Sequence, residues 1–493
     1  MRDVQPRQPR GTPVGGQWST VRRPNGRLHL RLRTNPAVSR VLSTLADEVS
    51  GRGGRVVVVG GAVRDMLLSD VTGVPIEPHD IDVEVYGVPL TEVREMVSHN
   101  LQVDEVGAQF SVLKVSLGGG NSLDISTPRR EVTTGVGHRE FDVEPDHTMT
   151  FDEAAQRRDI TINAMGYDVT TGELLDAYGG VRDLRDGVIR HVSHRFSEDP
   201  LRPLRVARFA ARLGFSIHPD TIAICRSMRP DASTIPAERI WGELRGVLAS
   251  EAPGRAFYAL ESMGWLWDVF PEVAALRGVE QDPSWHPEGD VLTHTAHALD
   301  YFATHLRTGN DEDDTTIAVA ILCHDLGKAT TTTTLDGRIR SLGHEEAGVV
   351  PTRQLLRRLG QHQLADQVAP LVENHLAPVT MTTDRAVRRL STRVPRLDLL
   401  AAVSRADVSG RPPLDNTVSM KKIDVFEDRV RRLDLTDGPP RMLARGEHLI
   451  AMGLEPGPAF KELLGAVYEA QLDGEVTTEA DAVAMLRRLA SSK

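Results

Sequence analysis

The sequence predicts an α+β protein, a small mixed-sheet head followed by an all-α body. Three observations carry that expectation. Between Val38 and Asp168, short β-branched runs alternate with segments of helical spacing. Beyond Asp183 the β signal nearly vanishes, and segments rich in Leu, Ala and Arg with helical spacing continue to the end. Gly- and Pro-rich breaks near 282–289 and 410–413 divide that body. The expected organisation is a basic arm at 1–37, a head at 38–182, a helical neck at 183–281, a further helical domain at 282–411 and a C-terminal helical segment at 412–493.

The arm is rich in Arg, Gly and Pro, has almost no acids and lacks a hydrophobic pattern, so it reads as disordered. The 493 residues suffice for about three domains, and a 40% hydrophobic content is ordinary for a globular chain. A formal net charge of -11 excludes a protein that coats nucleic acid indiscriminately, so any RNA contact must be local. There is no apolar run of membrane-spanning length and no signal peptide, which predicts a cytoplasmic protein without a membrane partner. The two cysteines, Cys225 and Cys323, cannot build a disulfide framework, in keeping with a reducing compartment.

Within the head, VVVVGGAVRD reads as a buried strand, a sharp turn at Gly60 and Gly61, and a helix whose first N–H groups can face an anion, with Arg64 nearby. PHDIDVEVYG follows shortly. Alternate residues of a strand share a face, so Asp80 and Asp82 should point one way while Ile81, Val83 and Val85 enter a core. Two clustered carboxylates on an exposed face suit Mg²⁺, which completes its shell with substrate phosphates. A Gly-rich turn joined to such a pair indicates metal-assisted nucleotidyl transfer.

Two further segments add cations. RRDITINAM puts Arg157 and Arg158 before a short alternating apolar run. In SEDPLRPLRVARFAARLGF, the residues Arg202, Arg205, Arg208 and Arg212 recur at helical spacing, with Leu204, Phe209 and Leu213 toward the core. Asp199 stands three residues before Arg202, an acceptor beside a bidentate donor. If Asp199 caps this helix, Pro203 falls where the first internal hydrogen bond should form, so either the helix starts later or that bond is missing.

GGAVRD, DID, RRDITINAM, EDPLRPLRVARFAARLGF and ERIWGEL, in that order, resemble the successive motifs of bacterial CCA-adding tRNA nucleotidyltransferases, of the class that includes bacterial poly(A) polymerases. WHPEGDVLTHT, LCHDLGK, GHEEAG, ENHLAP and RADVSGR resemble the HD phosphohydrolase domain fused to some of those enzymes. The resemblance spans residues 56 to about 411 and implies a nucleotidyltransferase head, a neck that binds the nucleotide base and RNA, and an HD domain. It implies that Asp80 and Asp82 are catalytic and hold Mg²⁺, with Asp124 as a third acid on a neighbouring strand. Gly60, Gly61, Arg64, Arg158, Arg205 and Arg208 would contact the incoming CTP or ATP. Asp199 and Arg202 would read the base, the carboxylate accepting from the exocyclic amine of cytosine or adenine and the guanidinium donating to the adjacent ring acceptor. Guanine and uracil carry a carbonyl in place of that amine and would be rejected.

For the HD domain the resemblance implies metal ligands His294, His324, Asp325 and Asp407, with His344 and His375 completing a second metal. Imidazole with carboxylate favours a transition ion such as Ni²⁺, Mn²⁺, Co²⁺ or Fe²⁺. The implied activity is hydrolysis of phosphomonoesters or 2′,3′-cyclic phosphates. The implied partners are the tRNA 3′ end, CTP and ATP. Two alternatives stay open: a poly(A) polymerase or an enzyme adding only CC or only A, and an RNA-binding or nucleotide-sensing scaffold with an active HD hydrolase. Asp311 to Asp314 is expected to form an acidic loop. The C-terminal apolar residues Leu449, Met452, Leu463, Leu464 and Val467 could pack on the HD domain, grip tRNA or form a homodimer.

Overall fold

The computed structural model describes residues 34–73, 80–98, 103–105, 112–118, 122–133, 141–436 and 438–491. Most of the expected basic arm, residues 1–33, lies outside them. The chain forms two compact units, Met1–Pro230 and Asp231–Lys493, so the segment expected as a neck, 183–281, contributes to both.

The first unit is built on a seven-stranded mixed sheet. Its strands are β1 (Arg55–Val59), β2 (Asp80–Tyr86), β3 (Val103–Glu105), β4 (Val112–Ser116) and β5 (Ser122–Ser126), then, beyond a separate hairpin of β6 (Arg129–Thr133) and β7 (Phe141–Pro145), β8 (Gly166–Asp168) and β9 (Leu174–Leu175). The order is β3-β4-β5-β2-β1-β8-β9, and β2 and β5 run parallel while the other pairs are antiparallel. Register fixes the faces. Val56 and Val58 pair with Val85 and Val83, and Ile81 and Val83 with Leu123 and Ile125. All seven are buried and form one apolar face. Helix α1 (Pro36–Ser50), begun by the Asn35 side chain and Pro36, packs against β1 with Val38, Leu42, Leu45 and Val49 buried.

Two local points left open by the sequence are resolved. In RRDITINAM the alternating run does not form a strand: residues Thr161–Asn163 make a single buried 3₁₀ turn, because Thr161 and Asn163 serve as buried hydrogen-bonding partners. The arginine-rich helix begins at Arg202 and not at Asp199. Pro203 then sits in its first turn, where an N–H would have no helical acceptor, so no internal bond is lost.

The second unit is almost wholly helical. Its central helix, Asp311–Cys323, is buried from Thr316 through Cys323 and packs against the helices Val291–His305, His362–Glu373 and Leu397–Ser409. Asp311 to Asp314 do not form a loop. They are the first turn of this helix, where carboxylates complement the N-terminal dipole and Asn310 accepts from the N–H groups of Glu312 and Asp313. Both cysteines are buried and form no disulfide, and burial pushes each thiol up to about 12. At the C-terminal end Leu449, Leu463 and Val467 bury against one another and against Val476, Ala482 and Leu486, with Met452 and Leu464 at the margin. No described helix is long and apolar enough to cross a membrane.

One buried acid ties stability to pH. Asp300 accepts from the Gly254 N–H at 2.8 Å, and burial pushes its carboxyl up to about 6. A raised carboxyl pKa penalises the ionised folded form. The penalty is absent below about pH 4, grows up to pH 6 and is complete above it. Asp300→Asn keeps an acceptor for Gly254 and should stabilise the protein at pH 8 by about 1–2 kcal/mol, discounted for partial exposure, and by only about a third of that at pH 4.5. Denaturant unfolding at the two pH values checks this, and an equal effect at both would refute it.

Candidate active sites in the two units

In the first unit the face of β2 opposite the apolar layer is polar. Asp82 is exposed there, paired in register with Val59 of β1 and Asp124 of β5. Asp80 occupies the position paired with Ser122, and its side chain lies outside the described atoms. Lys114 of β4 stands opposite Asp124, its Nζ 3.9 Å from Oδ1. Farther along, Phe151 and Ala155 close this face over Val57, Val59 and Tyr86.

The turn after β1 requires glycine. Gly60 has φ 76°, and a Cβ there would lie 3.3 Å from Asp82 Oδ2 and 3.2 Å from Arg158 Nη1. Turn, acid and guanidinium therefore share one small volume. Arg158 is fixed in it by donating Nη2 to Glu84 Oε1 at 2.7 Å and Nη1 to the Asn163 carbonyl at 3.4 Å. Glu84 Oε2 accepts from the Tyr86 hydroxyl at 2.5 Å. Burial alone would lower the Arg158 pKa, but Glu84, Tyr86 and Asp82 raise it, so the side chain stays cationic. Neither Glu84 nor Tyr86 was marked by any sequence motif beyond the strand that carries them.

The remaining cations divide into two groups. Arg202 donates to the carbonyls of Arg195 at 2.6 Å and Arg157 at 2.7 Å, and lies over the Phe196 ring. Asp199 sits beside it: its carbonyl accepts the Arg202 N–H at 3.1 Å and its Oδ1 accepts the Leu201 N–H at 3.0 Å. Glu84, Arg129, Arg157, Arg158 and Arg202 contribute to one cleft of about 330 Å³. Arg64, expected beside the phosphate, lies against the Gly61 turn and is 2% exposed, donating to Asp65 and to Asn163 Oδ1 at 2.7 Å. Arg205 pairs with Asp159 at 2.7 Å, and Arg212 with Asp65 at 3.2 Å. Arg64, Arg205 and Arg208 all lie around the Phe209 ring. The stripe thus meets acids of the same unit and packs its helix against them.

In the second unit six residues named from the sequence converge. His294 comes from the helix Val291–His305, His324 and Asp325 from the turn after Asp311–Cys323, His344 from the start of His344–Arg358, His375 from the turn after His362–Glu373, and Asp407 from Leu397–Ser409. All are buried. The approach depends on Gly327, where a Cβ would lie 2.0 Å from the His344 carbonyl oxygen.

The imidazoles are oriented through Nδ1. His324, His344 and His375 place Nδ1 at 2.7, 2.8 and 2.7 Å from the carbonyls of Ile321, Ser341 and Val372, and a carbonyl can only accept. Each neutral ring therefore carries its lone pair on Nε2. Those lone pairs face one another: His324 Nε2 lies 3.3 Å from His294 Nε2, and His344 Nε2 lies 3.4 Å from His375 Nε2. Asp407 Oδ1 lies 3.1 Å from His294 Nε2. Asp325 spans both sets, Oδ2 at 3.2 Å from His324 and Oδ1 at 3.4 Å from His344. The donors fall into two groups, His294, His324 and Asp407, and Asp325, His344 and His375.

Charge makes the same point. Burial would raise the pKa of Asp325 and Asp407, yet His324 and Lys328 hold the first, and Arg411 and His294 the second, well below the carboxylate range. Burial and the neighbouring His324 drive His375 down to about 3, leaving it neutral and able to ligate. Glu288, with a fully buried side chain, accepts from both His286 at 2.8 Å and His294 at 2.9 Å through Oε1, and despite burial these bonds take it down to about 2. Three buried carboxylates thus stand against two fixed cations, Lys328 and Arg411. Burial would lower the His294 pKa, but Asp407 and Glu288 raise it, so the site favours positive charge there, which a divalent transition ion would supply. Glu288, Lys328 and Arg411 lie inside motifs quoted from the sequence but were not assigned there. A cavity of about 1020 Å³ in this unit is lined by Trp241, Arg245, Arg307 and neighbouring residues and contains none of these donors.

Residues 56–190 match the Poly A polymerase head domain, 214–276 the probable RNA and SrmB- binding site of polymerase A, and 291–419 the HD domain. The chain is 39% identical over 369 residues to the multifunctional CCA protein of Xylella fastidiosa (strain M23), covering 72% of this chain and 83% of that protein. The chain belongs to the multifunctional CCA protein family. The Pasteurella multocida (strain Pm70) member is 37% identical over 327 residues, 65% of this chain and 74% of its own length. In fold, the chain is similar to the Bacillus stearothermophilus CCA-adding enzyme in complex with CTP, with a TM-score of 0.65, 23% identity and coverage of 93% of this chain and 98% of that one. Family membership makes this chain a nucleotidyltransferase with an HD domain, both of metal-using types.

The Gly327 contact yields a prediction. Gly327→Ala must displace the His344 backbone, and should lower stability by about 1–3 kcal/mol, the usual range for overpacking. Thermal unfolding would show it, and a wild-type melting temperature would show that the approach at Gly327 is slack.

Proposed function

We propose that the head adds and repairs the 3′-terminal CCA of tRNA from CTP and ATP without a nucleic-acid template, and that the HD centre hydrolyses phosphate esters at RNA ends. The observation that carries the first half is the meeting of Gly60, Asp82 and Arg158. The Gly60–Gly61 turn offers backbone N–H groups to the triphosphate, and Arg158, held by Glu84, supplies a fixed cation beside it. Mg²⁺ held by Asp80 and Asp82 would neutralise the phosphates and acidify the 3′-hydroxyl. The RNA 3′-oxygen attacks the α-phosphorus, the bond to the bridging oxygen breaks, and pyrophosphate leaves with that electron pair. Asp199 and Arg202, closed together by the Arg202 N–H bond to the Asp199 carbonyl, accept from and donate to the Watson–Crick edge of cytosine or adenine. A base with a carbonyl at the amine position would leave Asp199 facing oxygen.

In the HD domain, two transition ions held by the sets His294, His324, Asp407 and Asp325, His344, His375 would polarise the phosphate and activate water. The residues of the chain fix the donors: Glu288 sets the His294 ring through Nδ1, and backbone carbonyls set the other three. Water adds at phosphorus, one ester P–O bond breaks, and the departing oxygen takes a proton. The HD ligand set, complete in all six members, favours CCA addition coupled to end repair over simple polyadenylation.

Sequencing the products made from a CCA-less tRNA with all four nucleotides tests the reading. Wild-type protein should stop after C, C and A, and Asp82→Asn should cut incorporation at least about 10³-fold, as for loss of a central charge-stabilising group. A run of A residues would favour a poly(A) polymerase, and full activity of Asp82→Asn would remove the metal assignment in the head.

A further inference from the structure

The polar face of the head sheet carries an ordered row across β1, β2, β5 and β4. Val59, which leads into the Gly60 turn, stands opposite Asp82, Asp82 opposite Asp124, and Asp124 opposite Lys114. Residues in register share a face, so Lys114 points the same way as the two acids. The next row along these strands is Glu84, Ser126 and Val112. Those three line the cleft of about 330 Å³ that also holds Arg158 and Arg202, and Lys114 is not among its lining residues.

Lys114 Nζ lies 3.9 Å from Asp124 Oδ1, beyond hydrogen-bonding reach, and that oxygen has no hydrogen-bond partner. The two side chains are 46% and 35% exposed. An exposed pair at that separation contributes little to stability, and a lysine whose task was to clamp Asp124 would close to about 2.8 Å. The ammonium thus has donors to offer a ligand on this face. In-line attack at the α-phosphorus puts the entering and leaving oxygens on opposite sides of it. With the triphosphate over the Gly60 turn, at the Val59 end of the row, the RNA 3′-oxygen enters from the Asp124 end. Neighbouring strands are about 4.8 Å apart, so Lys114 stands roughly one strand beyond that oxygen, under the RNA backbone that leads to it. The incoming base lies along the Glu84 row, in the cleft that excludes Lys114.

We propose that Lys114 binds the backbone phosphate of the RNA's terminal nucleotide and so sets the 3′-hydroxyl beside Asp82 and Asp124. The inference rests on the nucleotidyltransferase reading of the head and adds the place of the acceptor to it: triphosphate at the turn, base in the cleft, RNA end over β4. Lys114 lies outside every motif through which the sequence resembles the family. A phosphate contact carries no base information, so it serves the addition of C and of A alike.

The test measures binding of a tRNA lacking its CCA end to the full chain over a series of KCl concentrations, with steady-state incorporation on the same samples. Lys114→Gln should weaken that binding about tenfold, as for loss of one charge-assisted hydrogen bond, and flatten the slope of log K against log salt by about 0.7–1. The KM for the tRNA should rise with it while the KM for CTP is unchanged, and Lys114→Arg should restore most of the affinity and the slope. Wild-type affinity and slope in Lys114→Gln overturn the contact; a raised KM for CTP would then put the lysine on the triphosphate, and a shifted Mg²⁺ requirement would make it a support of Asp124. If the wild type adds nothing to the tRNA, the transferase reading fails and the salt slope alone decides: a flatter slope in Lys114→Gln sustains the contact, and an identical one overturns it.

Discussion

Four imidazole lone pairs and two carboxylates meeting in a buried volume form the constraint on which the second unit depends. Left to themselves, such groups repel or lose their hydration without return, so a folded chain tolerates them only if something positive binds between them or their neighbours hold them. The surrounding structure does the holding. Backbone carbonyls of Ile321, Ser341 and Val372 take the Nδ1 protons, Glu288 takes that of His294, and Lys328 and Arg411 sit against Asp325 and Asp407. The central helix Asp311–Cys323, apolar through its last two turns, delivers His324 and Asp325 to this point. Gly327 then lets the His344 helix close on the same turn.

The first unit solves a related problem with the opposite geometry. Asp82 lies exposed on a strand face, where water can solvate it, and the ordering comes from the apolar layer behind. Ile81, Val83 and Val85 fix β2 so firmly that a one-residue slip would invert every side chain. The cation next to Asp82 is held by a chain of partners: Glu84 carries Arg158, and Tyr86 carries Glu84. Such a chain sets the guanidinium in place in advance, so an anion bound beside it would need little further ordering.

What was legible in the sequence follows from range. The two-residue alternation of DIDVEVY and the turn at Gly60 are local patterns; the six HD donors, spread from His294 to Asp407, were named through their resemblance to HD motifs, and the structure brings their side chains together. What was not legible depends on partners far along the chain. Arg64 reads as a cation near the anion-facing turn, and nothing local shows that Asn163, 99 residues away, receives it. The arginines after Arg202 read as an open stripe until Asp159 and Asp65 appear opposite them. Asp311 to Asp314 read as a loop because charge was weighed above their place before an apolar helix. The C-terminal apolar residues had several possible partners, and bury against one another. Glu288, Lys328 and Arg411 were visible as letters within motifs, but their meaning lies in distances that no spacing rule contains.

The central claim is that one chain carries two metal-dependent centres with different donor chemistry, oxygen only in the head and imidazole-rich in the HD domain. Stripping the protein with a chelator and adding ions back one at a time, while following CTP and ATP incorporation and cyclic-phosphate hydrolysis on the same sample, tests it most directly. Mg²⁺ alone should restore incorporation and leave hydrolysis low until Co²⁺ or Ni²⁺ is supplied. Parallel recovery of both activities with a single ion would contradict it.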